Sequence, residues 1–349
     1  MCAVVSFATF RRDNINREDE WSTESYLNAV SRCVVSLVRK MSHRPILITG
    51  SHRSGTTWVG SILSSLPSVY YIHEPFNVDY PPSAGVSAAR FPYWYMYVSP
   101  ENGEQFYEAL SRTMELRYSL WPALRLARSW RQIRRVRNEY ASLSKIRYRG
   151  ARPLIKDPIA LFSAEWLASS FGMQVVTMIR HPAAFASSLK RLDWRFPFPD
   201  LLKQRSLMED HLHPFETAIN DFASKERDVV EQAALMWKLI HHVIHKYRRN
   251  NPDWQFVRHE DLSREPGAGF REICERLDIE FSDYVREQVI ESSHANNPAN
   301  APEGTVHVIK RDSVANIFNW KSSLNAAEIR TIRDGVAEVS ELFYADEDW

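Results

Sequence analysis

Ile46-Leu47-Ile48-Thr49-Gly50-Ser51-His52-Arg53-Ser54-Gly55-Thr56-Thr57-Trp58 is the stretch on which the fold turns. Its first four residues form a short apolar run after Pro45, the pattern of a strand buried in a parallel sheet. A loop bounded by Gly50 and Gly55 follows, and helical sequence runs from Val59 to Leu66. Strand, glycine-bounded loop and helix in that order place a nest of backbone N–H groups at a helix N-terminus, where a phosphate-like anion binds. The spacing Gly50-x-x-x-x-Gly55-Thr56-Thr57 matches the nucleotide phosphate loop, but Thr56 stands where that motif has lysine. Arg53 is the cation of the loop. Kinases and nucleoside triphosphatases need the lysine and magnesium to neutralise the β- and γ-phosphates. One arginine among hydroxyls suits a terminal group of lower charge.

Outward from this loop the chain alternates between strand and helix. Val69–Ile72 reads as a second strand, ending at His73-Glu74-Pro75. Pro153–Lys156 reads as a third, with a helix near Ser163 to Phe171 behind it. Val175–Ile179 is β-branched and apolar, the clearest strand of the chain, and a helix starts at once after Arg180-His181-Pro182. A long helix is expected over Glu216 to Arg249 and a late strand over Trp254 to Val257. The alternation predicts an α/β fold: a central parallel β-sheet flanked by helices, a P-loop NTPase-like three-layer sandwich with helical insertions. Ligands of such sheets bind at the carboxyl ends of the strands. Arg53, Glu74, Lys156 and Arg180 all follow strand ends.

The totals set bounds on partners. The 349 residues carry a formal net charge of +1, so an anion site must be local and nothing points to nucleic acid. Cys2, Cys33 and Cys274 are too few and too scattered for a disulfide framework. No stretch has the ~20 apolar residues of a membrane span, and the expectation is a cytoplasmic protein. One domain is expected over residues 1–349, with a helical lead over 1–43 and an acceptor-side insertion over 77–150. Within that lead, Tyr26 to Val38 has the pattern of an amphipathic helix. Asn77 to Gly103 is irregular and rich in Pro, Tyr and Trp; Glu104 to Tyr148 is helical and basic.

Arg53-Ser54-Gly55-Thr56-Thr57-Trp58 resembles the 5′-phosphosulfate loop of the sulfotransferases that use 3′-phosphoadenosine-5′-phosphosulfate (PAPS). The resemblance implies that Arg53 and the loop residues Ser54, Gly55, Thr56 and Thr57 hold the sulfuryl-bearing phosphate, with Trp58 near the adenine. It also implies a 3′-phosphate site made by Arg180 and Ser188, which have the family's eight-residue spacing. Lys310-Arg311-Asp312-Ser313, with Trp320-Lys321-Ser322-Ser323-Leu324 after it, is similar to the family's basic C-terminal loop, which closes over the 3′-phosphate; Asp312 replaces a glycine common there. Val257-Arg258-His259-Glu260-Asp261-Leu262 looks like a structural turn of the family. These matches run in order from Pro45 to Leu324. The implied reaction moves a sulfuryl group from PAPS to a hydroxyl of a carbohydrate, lipid or small metabolite, releasing adenosine 3′,5′-bisphosphate (PAP), with no metal required. The rival readings are a P-loop nucleotide or small-molecule kinase and an inactive nucleotide-binding scaffold.

Sulfuryl transfer needs cations on the leaving phosphate and a base for the attacking hydroxyl. The cytosolic small-molecule branch takes that base from a histidine two residues after a strand-end lysine; here Lys156 is followed at that position by Pro158. Tyr71-Ile72-His73-Glu74-Pro75-Phe76 instead resembles the carbohydrate and bacterial branch, which makes Glu74 the expected base, with His52 and His73 as alternatives and Lys156 assisting the leaving phosphate. Of His241, His242 and His245, two stand at i, i+4 on one helix face, but no carboxylate or cysteine set accompanies them to complete a metal site. Ten Lys or Arg residues and one acid lie between Arg125 and Arg152. They read as a solvated face, or as a surface that steers an acidic acceptor or meets an anionic membrane.

Overall fold

Five strands, β1 (Ile46–Gly50), β2 (Val69–His73), β3 (Arg152–Lys156), β4 (Gln174–Ile179) and β5 (Gln255–Arg258), pair in parallel in the order β2-β3-β1-β4-β5 in a computed structural model that describes residues 44–299 and 309–349. β1 is buried throughout because it is the middle strand. Its side chains alternate between two apolar layers, Leu47 joining Ile72, Ile155 and Val175 on one face, while Ile46 and Ile48 join Leu154, Val176 and Met178 on the other. The chain is therefore three-layered, α/β/α, as expected. The helical lead expected over residues 1–43, including Tyr26 to Val38, lies outside the described residues.

The principal helices are α1 (Thr56–Leu63), α2 (Glu104–Met114), α3 (Leu120–Leu126), α4 (Trp130–Tyr148), α5 (Ala164–Phe171), α6 (Pro182–Leu192), α7 (Glu216–Ser224), α8 (Val229–Asn250), α9 (His259–Arg264) and α10 (Ala326–Ser340). Trp58, Val59, Ile62 and Leu63 of α1 pack on one face of the sheet, and Ala183, Phe185 and Leu189 of α6 on the other. These helices follow β1 and β4, which are neighbours. Consecutive loops thus diverge to opposite faces, opening a crevice at the strand ends, the topological position where such sheets bind ligands.

Gly50 closes β1 opposite Met178 with φ +125°, and a Cβ there would lie 2.1 Å from the Met178 carbonyl oxygen. Both the left-handed backbone and the close strand approach need glycine. Gly50→Ala is expected to destabilise by more than about 2 kcal/mol, because neither backbone can give without breaking the central ladder; thermal unfolding measures this.

The long helix expected over Glu216 to Arg249 is two helices. α7 ends at Ser224, and α8 begins after Asp228, whose carboxylate accepts from the Val230 amide at 2.7 Å while Glu231 accepts from the Asp228 amide at 3.1 Å. That reciprocal cap outweighs the continuous helical pattern. The basic insertion is likewise broken into α2, α3 and α4, and no helix or strand forms between Asn77 and Gly103. His241 is buried and stacked on Trp237 at 3.8 Å, and among the described residues no three metal-ligating side chains converge. No described helix is long and apolar enough to cross a membrane. Arg152, the last of the ten cations, belongs to the interior: its guanidinium binds the Arg44 and Leu277 carbonyls and Gln174.

Candidate active site

The crevice between β1 and β4 opens into a cavity of about 1150 Å³ lined by Arg53, Gly55, Thr56, Thr57 and Trp58 of the glycine loop, by Glu74 and Lys156, and by Arg180 and Ser188. Residues 51–55 turn with positive φ at Arg53 (64°) and Gly55 (94°), which aims successive amides inward. Gly55 precedes α1, whose first turn contains no acid. The N-terminal end of the helix is thus left to attract an anion. Ser54 is buried, and its hydroxyl turns back to the Ser51 carbonyl rather than into the cavity.

Arginines gather around this loop. Arg53 Nε donates to Ser188 Oγ at 3.0 Å, its guanidinium lies over the Trp194 ring, and Arg180 donates to the Arg53 carbonyl. Arg191 and Arg311 line the same cavity. Burial, then the charges of Arg180, Arg191 and Arg311, lower the Arg53 guanidinium to about 9. Burial, with Arg180 and Arg191, lowers Arg311 to about 10. Such crowding of like charge is poised for an anion of more than one charge. The expected Arg180–Ser188 pair is brought together here, with Arg53 between them. Lys310 is not: it is exposed and its ammonium pairs with Glu291, outside the cavity. Arg311, whose Nη1 donates to Asn316 Oδ1 at 3.3 Å, is the member of that basic pair at the cavity wall.

Glu74 faces the arginines from the end of β2. Its backbone sits at φ 42° and its amide donates to the Lys156 carbonyl at 2.9 Å, continuing the β2–β3 ladder by one residue. The buried Lys156 ammonium pairs with Glu74 Oε1, and Asn77 Nδ2 donates to Oε2 at 2.8 Å. Burial by itself would raise the carboxyl, but the Lys156 charge and hydrogen bond, with His73 and Asn77, hold it below its ordinary value. Glu74 is therefore ionised at neutral pH. Asp157 anchors the following turn, accepting from the Phe76 amide at 2.7 Å and the Ile159 amide at 3.0 Å; burial, then Glu74, push it up to about 7.

The alternative bases are less suited. His52 lines the cavity but is packed against Phe185, Phe196 and Trp194, with its Nδ1 2.6 Å from the Tyr95 hydroxyl. Burial, then Arg53, lower it to about 3. His73 is half-buried, and burial with Lys156 lowers it as well.

The sulfotransferase family model matches residues 45–283. The chain belongs to the sulfotransferase family. Among solved structures, this sulfotransferase is similar to the sulfotransferase domain of the Synechococcus PCC 7002 olefin synthase (18% identity, 86% of this chain and 95% of that one, TM-score 0.45). It is also similar to a mouse sulfotransferase complexed with PAP (10% identity, 88% and 87% covered, TM-score 0.45), and to a sulfotransferase from Mycobacterium avium (13% identity, 92% and 82% covered, TM-score 0.41). No curated protein sequence matches the chain.

Cavity residues of the sulfotransferase that escaped the sequence reading as site residues include Arg191, Trp194 and His259. His259 opens α9 and lines the cavity, its buried Nδ1 without a partner among the described residues and 2.7 Å from where a Gly55 Cβ would be. It also approaches the edge of Trp58, whose indole Nε1 donates to Ser292 Oγ at 2.8 Å. The run from Val257 to Leu262 had a structural reading only. A histidine at a strand end was the signal that could have found it, since Arg53, Glu74, Lys156 and Arg180 also lie at or just after strand ends.

Proposed function

We propose that this sulfotransferase transfers the sulfuryl group of PAPS to the hydroxyl of a carbohydrate, lipid or small-metabolite acceptor by in-line displacement, releasing PAP. The observation that carries the reading is one cavity with crowded arginines on a phosphate-loop scaffold at one wall and an ionised carboxylate, Glu74, at another. The polar inventory fits such a nucleotide. Arg180 Nε and His259 Nδ1 are buried without partners among the described residues, and both belong to side chains that line the cavity. Buried polar atoms of this kind are ordinarily satisfied, by a ligand where the protein offers nothing.

In this reading the loop amides, Thr56 and Thr57 bind the 5′-phosphosulfate. Arg53 neutralises the charge that grows on the bridging oxygen as the sulfur–oxygen bond to phosphate breaks. Arg180, Ser188 and Arg311 hold the 3′-phosphate. Glu74 accepts the proton of the acceptor hydroxyl as its oxygen bonds to sulfur, and Lys156 keeps Glu74 ionised and oriented. Thr56 in place of the phosphate-loop lysine favours sulfuryl over phosphoryl transfer. Radiolabelled PAPS incubated with the protein and extracts of its source should yield a labelled acceptor; transfer from ATP with magnesium, and none from PAPS, would assign a kinase.

The pH dependence follows from the directions above. A carboxylate held below its ordinary value stays charged through that value, and activity is lost only as pH falls through the lowered one. The acid limb that Glu74 sets in the kcat profile should lie below pH ~4.5, separate from the titration of buried Asp157 at about 7. His73→Gln should retain most turnover, with the limb moved slightly upward because His73 helps to hold Glu74 down; a loss of turnover as large as that of Glu74→Gln would make His73 the base.

A further inference from the structure

Helices α3 and α4 carry a surface that does not line the cavity. Val136 and Leu143 are the buried residues of α4. On the face opposite them, at helical spacings of three, four or multiples of these, stand Trp130, Arg134, Arg137, Lys145 and Tyr148. Trp130 (85% exposed) and Tyr148 (93%) mark the two ends of that stripe, and α3 adds Trp121 (73%) and Leu126 (63%). Among the cations from Arg125 to Arg149, Arg135 pairs with Glu139 and Arg147 binds the Glu115 carbonyl. The others have no acidic partner among the described residues.

The chemistry of the face narrows its occupant. Unpaired cations call for an anionic surface, and with a net charge of only +1 on the whole chain the attraction here is local to the patch rather than a pull on the whole molecule. Leu126 and the half-exposed Ile133 are aliphatic; they gain by leaving water for hydrocarbon and gain little by stacking on bases or sugars. Tryptophan and tyrosine settle at headgroup level, and arginine stems reach from apolar surroundings back to phosphate. We propose that the α3–α4 face docks on an anionic lipid bilayer, with Arg134 and Arg137 on headgroups and Trp121, Leu126 and Trp130 in the interfacial layer. The docked helix is tied to the catalytic cavity. Glu139 of α4 accepts from Ser83 at 2.9 Å and from Tyr118 at 3.0 Å, and the segment leading into Ser83 contains Asp79 and Tyr80 of the cavity wall.

The full chain is sedimented with vesicles of phosphatidylcholine alone or with about 30 mol% phosphatidylglycerol added. Partition onto the anionic vesicles should exceed that onto the neutral ones by at least about tenfold and vanish in about 0.5 M NaCl. Arg134→Gln/Arg137→Gln should lower it about tenfold, and Trp121→Ala/Trp130→Ala by a similar factor. Both double variants should keep the wild-type melting temperature, because these side chains are exposed. Absence of wild-type binding to anionic vesicles overturns the proposal. So does binding that survives both double variants, which places membrane contact elsewhere in the chain. Tight binding to heparin or DNA, with vesicle binding indifferent to the tryptophans, would assign the face to a soluble polyanion instead.

Discussion

Glu74→Gln is expected to lower turnover by about 10²–10⁴-fold while leaving PAP affinity within a few fold of wild type. The amide keeps the shape and the hydrogen bond to Asn77 but cannot take the acceptor proton. The substitution has a second consequence, because Lys156 is 1% exposed and its ammonium pairs with Glu74. Leaving that cation buried without its partner costs about 3–5 kcal/mol, so the melting temperature should fall as well. The two effects separate in Glu74→Gln/Lys156→Met, which removes both charges: stability should recover and turnover should not. Calorimetry with PAP, thermal unfolding and a labelled-PAPS assay read the three quantities independently. Near-normal turnover in Glu74→Gln would move the proton to another group. His52 would then have to work from a buried site that holds it at about 3.

Arg53→Gln is expected to lower kcat by about 10²–10³-fold, the usual effect of removing one preorganised donor from developing negative charge. Its side chain is already fixed by Ser188 and by the Trp194 face, so little ordering remains to be done when the donor binds. The same residue should reveal itself in the nucleotide-free protein. Burial and the neighbouring arginines lower its guanidinium well below its ordinary value, to about 9. A cation depressed in the folded state opposes folding below its folded value, and that opposition is relieved as pH rises through it. An anion in the crevice relieves it at neutral pH instead. PAP should therefore raise the melting temperature of the wild type, and by clearly less in Arg53→Gln. An equal rise in both would place the nucleotide away from Arg53.

Much of the site was legible because it is built from short segments. Strand, loop and helix around Gly50 and Gly55 follow from near neighbours, as do the Arg180–Ser188 spacing and the position of Glu74 at a strand end. The family match over residues 45–283 agrees with the family resemblance that these segments carry. The Asp228–Glu231 cap was also legible, since an acid three residues before a glutamate at the head of an apolar run is a helix start. The repeating helical pattern on either side of it hid the break.

Thr56 for lysine and Arg53 as the loop's cation are properties of the sequence alone, and they set the chemistry the crevice can host. Only the tertiary structure placed β1 between β3 and β4, and with it the arginines of distant segments around one loop. It turned Lys310 outward to Glu291, brought His259 to the cavity wall, buried Arg152 and packed His52 against aromatic rings at that wall. The reason is physical. Backbone conformation is governed mostly by residues a few positions away, whereas desolvation and charge coupling depend on what the rest of the chain packs against a side chain. Which base holds a usable proton affinity is a question of the second kind.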